Sequence, residues 1–167
     1  MKLSRYGIGD KASMALGAFL AQCPLKVNSL EVSHNSILNR GLTCLLKAIS
    51  GHTLIKVLDI SENTPKRSSI KSMTNLFLQP DPVRMVELRL SGCEIGDRNM
   101  KMLAEGLAES VTLTTLKLDR NNLTRCGKEL AYFLHENLYL TDLDLSWNQL
   151  RNEGESVRRR KRAEACS

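Results

Sequence analysis

The segment Leu113-Thr114-Thr115-Leu116-Lys117-Leu118-Asp119-Arg120-Asn121-Asn122-Leu123 decides the fold of this 167-residue chain. Its spacing, L-x-x-L-x-L-x-x-N-x-L, returns unchanged between Leu140 and Leu150. The same spacing, with replacements, begins at Val27, Ile55 and Met85, so the five copies start 28, 30, 28 and 27 residues apart. An incomplete copy opens the chain with Met1, Leu3, Tyr6 and Ile8. This period predicts a solenoid of stacked units, because one unit alone cannot bury its apolar face.

Each full copy, numbered here repeats 1 to 5, contains an L-x-L element that alternates apolar and polar residues. The alternation predicts a short strand whose leucines face the interior. Three residues later an amide side chain can pair backbone groups of the turn; it recurs as Asn35, Asn63, Asn121 and Asn148, with Cys93 in repeat 3. We expect these side chains to form a ladder.

Pro65 replaces the last apolar residue of the motif in repeat 2, so we expect the turn and the helix start to deviate there.

The second half of each unit predicts a helix. Apolar residues recur eight and twelve positions after the motif, as Leu16 and Leu20, Leu45 and Ile49, Met73 and Phe77, and Leu103 and Leu107. In repeat 4 the pair comes one position early, as Leu130 and Leu134, which matches its shorter 27-residue step. A separation of four residues places both members of a pair on one helix face.

Repeats with both a strand and a full helix resemble the ribonuclease-inhibitor class of leucine-rich repeats. Leu90 to Asp97 and Leu143 to Asn148 are typical segments of that class. It includes the activator of the GTPase Ran, the receptor ends of NACHT innate immune proteins, and centrosomal and ciliary proteins. The resemblance implies an α/β fold: a right-handed solenoid, shaped as a horseshoe arc of about five and a half repeats, with a parallel sheet on the concave side and helices on the convex side. Residues 1–155 would form this solenoid.

Residues 156–167 are predicted to be a separate basic tail, which contains Arg158, Arg159, Arg160, Lys161 and Arg162. Two of these arginines fall where earlier repeats carry buried apolar residues. Burying an unpaired charge costs more free energy than one leucine returns, so we expect the tail to leave the solenoid and stay disordered. Without its five basic and one acidic residues the net charge falls from +6 to +2. The tail could serve nuclear import or contact nucleic acid or acidic membrane, or simply be a solvated end.

Composition and residue spacing argue against several classes of protein. Five cysteines without a C-x-x-C pair predict reduced thiols, no metal site, and a cytoplasmic or nuclear location. No apolar stretch approaches the roughly 20 residues of a membrane span. The serines that follow the strands and the three histidines lack the spacing of a catalytic set. We therefore expect no enzymatic activity and no cofactor.

The polar residues between the strand leucines are the predicted partner-binding face. Acidic and basic residues alternate along it, a pattern that can select a partner and its register. Trp147 and Arg120 are the favoured anchors, because exposed Trp and Arg often dominate interfaces. Two alternatives stay open: the charges neutralise one another, or the indole covers a neighbouring turn. The candidate contact residues are Glu31, Asp59, Glu62, Arg89, Lys117, Arg120, Asp142, Asp144 and Trp147.

The sequence thus predicts a non-enzymatic scaffold that binds another protein through its concave face. Three alternatives remain: a GTPase-regulator-like module, nuclear or nucleic-acid association through the basic tail, and a truncated fragment or isoform of a longer repeat protein. We expect Leu143, Leu145 and Leu150 to be partly uncovered at the end of the solenoid. Such uncapped ends would permit self-association.

Overall fold

Helices and strands alternate along the chain in a computed structural model, which describes residues 1–22, 27–50 and 54–151. The elements are α1 (Gly9–Gln22), β1 (Ser29–Glu31), α2 (Asn39–Ile49), β2 (Val57–Asp59), α3 (Arg67–Leu78), β3 (Glu87–Arg89), α4 (Gly96–Ala108), β4 (Thr115–Lys117), α5 (Gly127–Glu136) and β5 (Asp142–Asp144). Each repeat contributes one strand, and the predicted apolar helix pairs all lie within helices.

The five strands form one parallel sheet in chain order. Their register aligns the central leucines of the motif in one row: Leu30, Leu58, Leu88, Leu116 and Leu143. The incomplete opening copy joins the same sheet, since Lys2 forms a parallel bridge with Glu31. The predicted α/β solenoid is therefore confirmed, with the sheet on its concave side.

The core lies between the sheet and the helices and consists of one thin layer per repeat. Strand leucines such as Leu116 and helix residues such as Leu103 and Leu130 are completely buried. Adjacent helices approach closely where a side chain is missing: a Cβ on Gly106 would lie 2.8 Å from the Thr74 carbonyl oxygen. Glycine is thus required for α3 and α4 to pack at this distance.

The predicted asparagine ladder is present. The Asn63 Oδ1 accepts hydrogen bonds from the backbone N–H groups of Asn35 (3.3 Å) and Ile37 (2.9 Å) in the preceding repeat. Its Nδ2 donates to the carbonyls of Val32 and Ile60, both at 3.0 Å. Asn35, Asn121 and Asn148 repeat this arrangement. Each amide therefore pairs otherwise unpaired groups of the turn before it.

Cys93 fills the ladder position with a different hydrogen-bonding capacity. Its thiol donates to the Ile60 carbonyl (3.3 Å), as the asparagines do, but it has no amide oxygen. An amide oxygen at this position would accept hydrogen bonds from two N–H groups of the preceding repeat. One is the Asn63 N–H. The other would belong to residue 65, which is proline and has no N–H. Pro65, which lacks the donor, and Cys93, which lacks the acceptor, thus compensate for each other at the boundary between repeats 2 and 3.

The expectation for Pro65 is correct for the turn and wrong for the helix. Ser36, Glu94 and Asn122, which precede the last motif position in their repeats, have φ between 52° and 55°. Thr64 does not adopt positive φ, which fits the restricted backbone of a residue before proline, although Gln149 of repeat 5 also lacks positive φ without a following proline. Helix α3 nevertheless begins two residues after Pro65, just as α2 begins two residues after the equivalent position of repeat 1. Pro65 precedes the N-cap Lys66, so it interrupts no hydrogen bond of α3.

The last described layer is less covered than the others. Leu143 and Leu150 are half-buried, whereas the equivalent Leu116 and Leu123 of repeat 4 are completely buried. The expected partial exposure is thus correct for Leu143 and Leu150. It is wrong for Leu145, which is buried with 7% of its surface exposed. The basic residues from Arg158 to Arg162, and the proposed boundary at residue 155, lie outside the described residues.

Candidate partner-binding face

Strand register arranges the concave side chains in rows. The middle row contains Glu31, Asp59, Arg89, Lys117 and Asp144, and the first row contains Ser29, Val57, Glu87, Thr115 and Asp142. A third row, called here the turn row, follows the strands and contains His34, Glu62, Gly92, Arg120 and Trp147. All five residues of the turn row have φ between 54° and 62°. The candidate contact residues therefore lie on one continuous surface.

Arg89 is shared by several carboxylates near the centre of the sheet. Its Nε donates to Glu87 Oε1 at 2.7 Å, and its Nη1 lies 3.9 Å from Asp59 Oδ2. In repeat 1 a hydrogen bond from the Ser29 hydroxyl (2.7 Å) lowers the pKa of Glu31, and the positive charge of Arg89 lowers it further. This guanidinium is thus oriented within the chain.

Arg120 makes an ion pair that skips one repeat. Its Nε donates to Asp119 Oδ2 and its Nη1 lies beside Glu62 Oε1, both at 3.0 Å. Glu62 belongs to repeat 2 and Arg120 to repeat 4. Between them lies Gly92, where a Cβ would come within 2.4 Å of the Glu62 carboxylate. The missing side chain of Gly92 makes room for this long-range pair.

Repeat 5 presents two carboxylates, one of which pairs with the ammonium group of Lys117. The Lys117 Nζ donates to both carboxylate oxygens of Asp142 at 3.2 Å. The backbone N–H of Ser146 donates to Asp144 Oδ1 (3.0 Å) and lowers the pKa of Asp144, with additional effects of Lys117 and Arg120. Asp144 therefore stays charged under ordinary conditions.

Trp147 is unusual among these residues. Its side chain is 84% exposed, which rules out the alternative that the indole covers a neighbouring turn. Its φ of 56° lies in the left-handed region, which is unfavourable for a bulky residue. Gly92 occupies the same place in repeat 3 without this conformational cost. The chain thus keeps a large apolar group at a strained, solvent-facing position.

The serines beside the turn row form contacts between repeats. The Ser33 hydroxyl donates to the Ser4 hydroxyl (2.8 Å), the Ser91 hydroxyl donates to Asp119, and the Ser61 hydroxyl accepts from the Ser91 N–H. None of these hydroxyls is hydrogen-bonded to a histidine in the described ranges. Their contacts fit a structural role.

A second set of contacts between repeats was missed from the sequence. The Asp10 Oδ1 accepts the N–H groups of Leu38 and Gly41 (2.8 and 2.9 Å) at the start of α2. Asn39 accepts from Ser69 in α3, and Asp97 accepts from the turn before α5. The signal was an Asp or Asn two residues after the motif, next to the positive end of the following helix. Repeat 2 has Arg67 at that position, and α4 has no side-chain cap.

Two buried cysteines have the properties of inert thiols. Burial raises the pKa of the Cys93 thiol to about 12, and burial together with the nearby charge of Asp97 raises that of Cys126 to about 12. Within the described ranges no three His, Cys, Asp or Glu side chains gather as they would around a metal ion. Across the same residues, no helix has both the length and the apolar character needed to cross a bilayer.

Comparison with known proteins agrees with the repeat geometry. A leucine-rich repeat family model matches residues 85–104 and 136–154. The chain is a leucine-rich repeat protein. It is 30% identical over 94 residues to leucine-rich repeat-containing protein 45 of Gallus gallus, and 30% identical over 124 residues to NACHT, LRR and PYD domains-containing protein 7 of Homo sapiens. Proteins with such repeats are generally interaction modules without enzymatic activity.

The curated relatives are much longer than this leucine-rich repeat chain. The matches include 56% and 72% of its residues but only 14% and 12% of the respective relatives. Among solved structures, leiomodin-1 actin-binding site 2 superposes with a TM-score of 0.66 over 90% of this chain and 91% of that chain. Sequence identity with it is 14%, so the likeness concerns the fold.

Proposed function

We propose that this leucine-rich repeat chain is a non-enzymatic scaffold that binds another protein through the concave face of repeats 4 and 5. The observation that carries the proposal is Trp147, which is 84% exposed at a strained φ of 56°. The whole turn row shares this φ, so the backbone conformation belongs to the fold. The exposed indole itself contributes nothing evident to folding, whereas at an interface it is a typical anchor of binding energy. The side chain is therefore assigned to partner contact.

The neighbouring charges support this proposal because they are already oriented. Arg120 is fixed by Asp119 and Glu62, and Lys117 is fixed by Asp142. A side chain that is held in place before binding loses less conformational entropy when a partner arrives. The face thus combines a rigid charged surface with one exposed aromatic anchor.

Affinity capture from cell extract tests the proposal with two matched variants. Trp147→Gly removes the anchor and fits the backbone, since Gly92 has the same conformation in repeat 3. Tyr132→Ala removes a half-exposed aromatic ring from α5 and serves as the control. We expect a partner that is retained by the unchanged chain and by the control but lost with Trp147→Gly. The partner should also protect the backbone amides of β4 and β5 from hydrogen exchange. Equal retention by all three chains contradicts the proposal.

A cytoplasmic or nuclear location fits the same proposal. Cys44, Cys93 and Cys126 are free thiols, as expected in a reducing compartment. The carboxylates of the concave face repel phosphate groups, which disfavours that face as a nucleic-acid site. The tail residues that would carry nucleic-acid association lie outside the described part of the chain.

A further inference from the structure

The concave face is acidic although the chain as a whole is basic. In the five repeats its rows, including the serine row that contains Asp119, carry seven carboxylates: Glu31, Asp59, Glu62, Glu87, Asp119, Asp142 and Asp144. Only three side chains on the same rows are permanently cationic: Arg89, Lys117 and Arg120. Repeats 1 to 5 therefore have four excess negative charges on this face, and two remain when Lys2 and Arg5 of the opening copy, on the middle and turn rows, are included. The whole chain, in contrast, has a net charge of +6.

Internal pairing does not remove this excess. Lys2 of the opening copy lies 3.7 Å from Glu31, so its effect is confined to the first end of the sheet. Near repeat 5, Arg120 is already shared by Asp119 and Glu62, and Lys117 is paired with Asp142. Asp144 has no ion pair within 4.0 Å among the described residues. The unneutralised charge is thus concentrated beside the most exposed aromatic side chain.

We propose that the partner segment bound on this face is basic, and that an arginine or lysine of that segment stacks on Trp147 while contacting Asp144. An exposed indole attracts a cation through the negative charge of its ring face. A carboxylate held by a backbone hydrogen bond, as Asp144 is by Ser146, can accept from the same cation. This proposal rests on the proposed function, because it names the chemistry of the partner for the same face.

The test uses the full chain and a fluorescein-labelled peptide of twelve residues with four arginines separated by glycine and serine. A second peptide has glutamine in place of each arginine. Asp142→Asn with Asp144→Asn removes two charges from the concave face. The matched control, Glu105→Gln with Glu109→Gln, removes two charges from exposed positions at α4 and its C-terminal end. Fluorescence anisotropy gives the affinities, and thermal unfolding shows that each variant is folded.

We expect the arginine peptide to bind about tenfold more weakly to the concave variant and less than about twofold more weakly to the α4 control. Trp147→Gly should weaken binding about three- to fivefold, as expected for one exposed cation–π contact. The glutamine peptide should not bind. Equal weakening by the concave and α4 variants overturns the proposal, because binding would then follow net charge alone.

Failure of this proposal can be distinguished from failure of the proposed function. If the arginine peptide does not bind, yet capture of a cellular partner still depends on Trp147 and is insensitive to salt, the face binds a partner that is not basic. If capture also ignores Trp147, the concave face is not the binding surface and both proposals are wrong.

Discussion

Pro65 and Cys93 should be energetically coupled, because one lacks the donor and the other lacks the acceptor of the same hydrogen bond. Elsewhere in the ladder, the equivalent bond joins Ile37 N–H to Asn63 Oδ1 at 2.9 Å. Pro65→Ile alone places a buried N–H opposite a sulfur, and a buried donor without a good acceptor costs about 1–3 kcal/mol. In a Cys93→Asn background the donor meets an amide oxygen, so most of this cost disappears.

The expected coupling energy is therefore about 2 kcal/mol in favour of the double variant. Urea unfolding of the four chains of the cycle, followed by circular dichroism at pH 7 with reductant present, measures it. The reciprocal exchange one repeat earlier, Ile37→Pro with Asn63→Cys, should show coupling of the same sign. The strain that proline imposes on Ser36 (φ 54°) occurs in both the single and the double variant and cancels in the cycle. A coupling below about 0.5 kcal/mol at both boundaries would refute the compensation.

Three further predictions concern other contacts between repeats. Gly92→Ala should destabilise the fold by about 2 kcal/mol, because alanine is strained at φ 62° and its Cβ displaces the Glu62 carboxylate; thermal unfolding should show partial recovery when Glu62→Ala is added. Asp97→Asn should cost about 1–2 kcal/mol at neutral pH. Burial opposes the charge of Asp97, but hydrogen bonds from Thr124 and Arg125 lower its pKa. The difference from the unchanged chain should therefore vanish as the pH falls below 3.8 through the folded-state pKa; a constant difference in acid unfolding experiments would contradict this. The raised pKa of Cys93 means that this thiol ionises first in the unfolded chain, so between pH 9 and about pH 12 it should contribute a loss of stability of about 1.4 kcal/mol per pH unit. Cys126, with the same raised pKa, should contribute a similar loss. Urea titrations should show a smaller alkaline loss for Cys93→Asn.

Spacing in the sequence was sufficient to predict the strand rows and the asparagine ladder. In a stacked repeat the residue at each motif position meets its equivalent in the next unit, so alignment of the motif also aligns Glu31 with Asp59 and Arg89. The exposure of Trp147 followed from the same alternation. What a motif position fixes is the direction of a side chain, and that much was predictable.

Pairing between side chains was not predictable in the same way. The contact of Glu62 with Arg120 depends on the space above Gly92 and on two long side chains that extend across a repeat. The helix start after Pro65 was wrongly expected to shift, because Pro65 lies before the N-cap Lys66 and its missing N–H is not needed by the helix. The binding role of the candidate residues stays a prediction for the experiments above.

The ladder has a consequence for how the chain folds as it leaves the ribosome. The turn that contains Asn35 and Ile37 offers N–H groups whose acceptor, Asn63, is synthesised 28 residues after Asn35. At a synthesis rate of about 5–20 residues per second, each new turn lacks its hydrogen-bond acceptor for one to several seconds. Folding of the solenoid should therefore lag one repeat behind translation, because the newest repeat cannot complete its turn until the next asparagine has been synthesised.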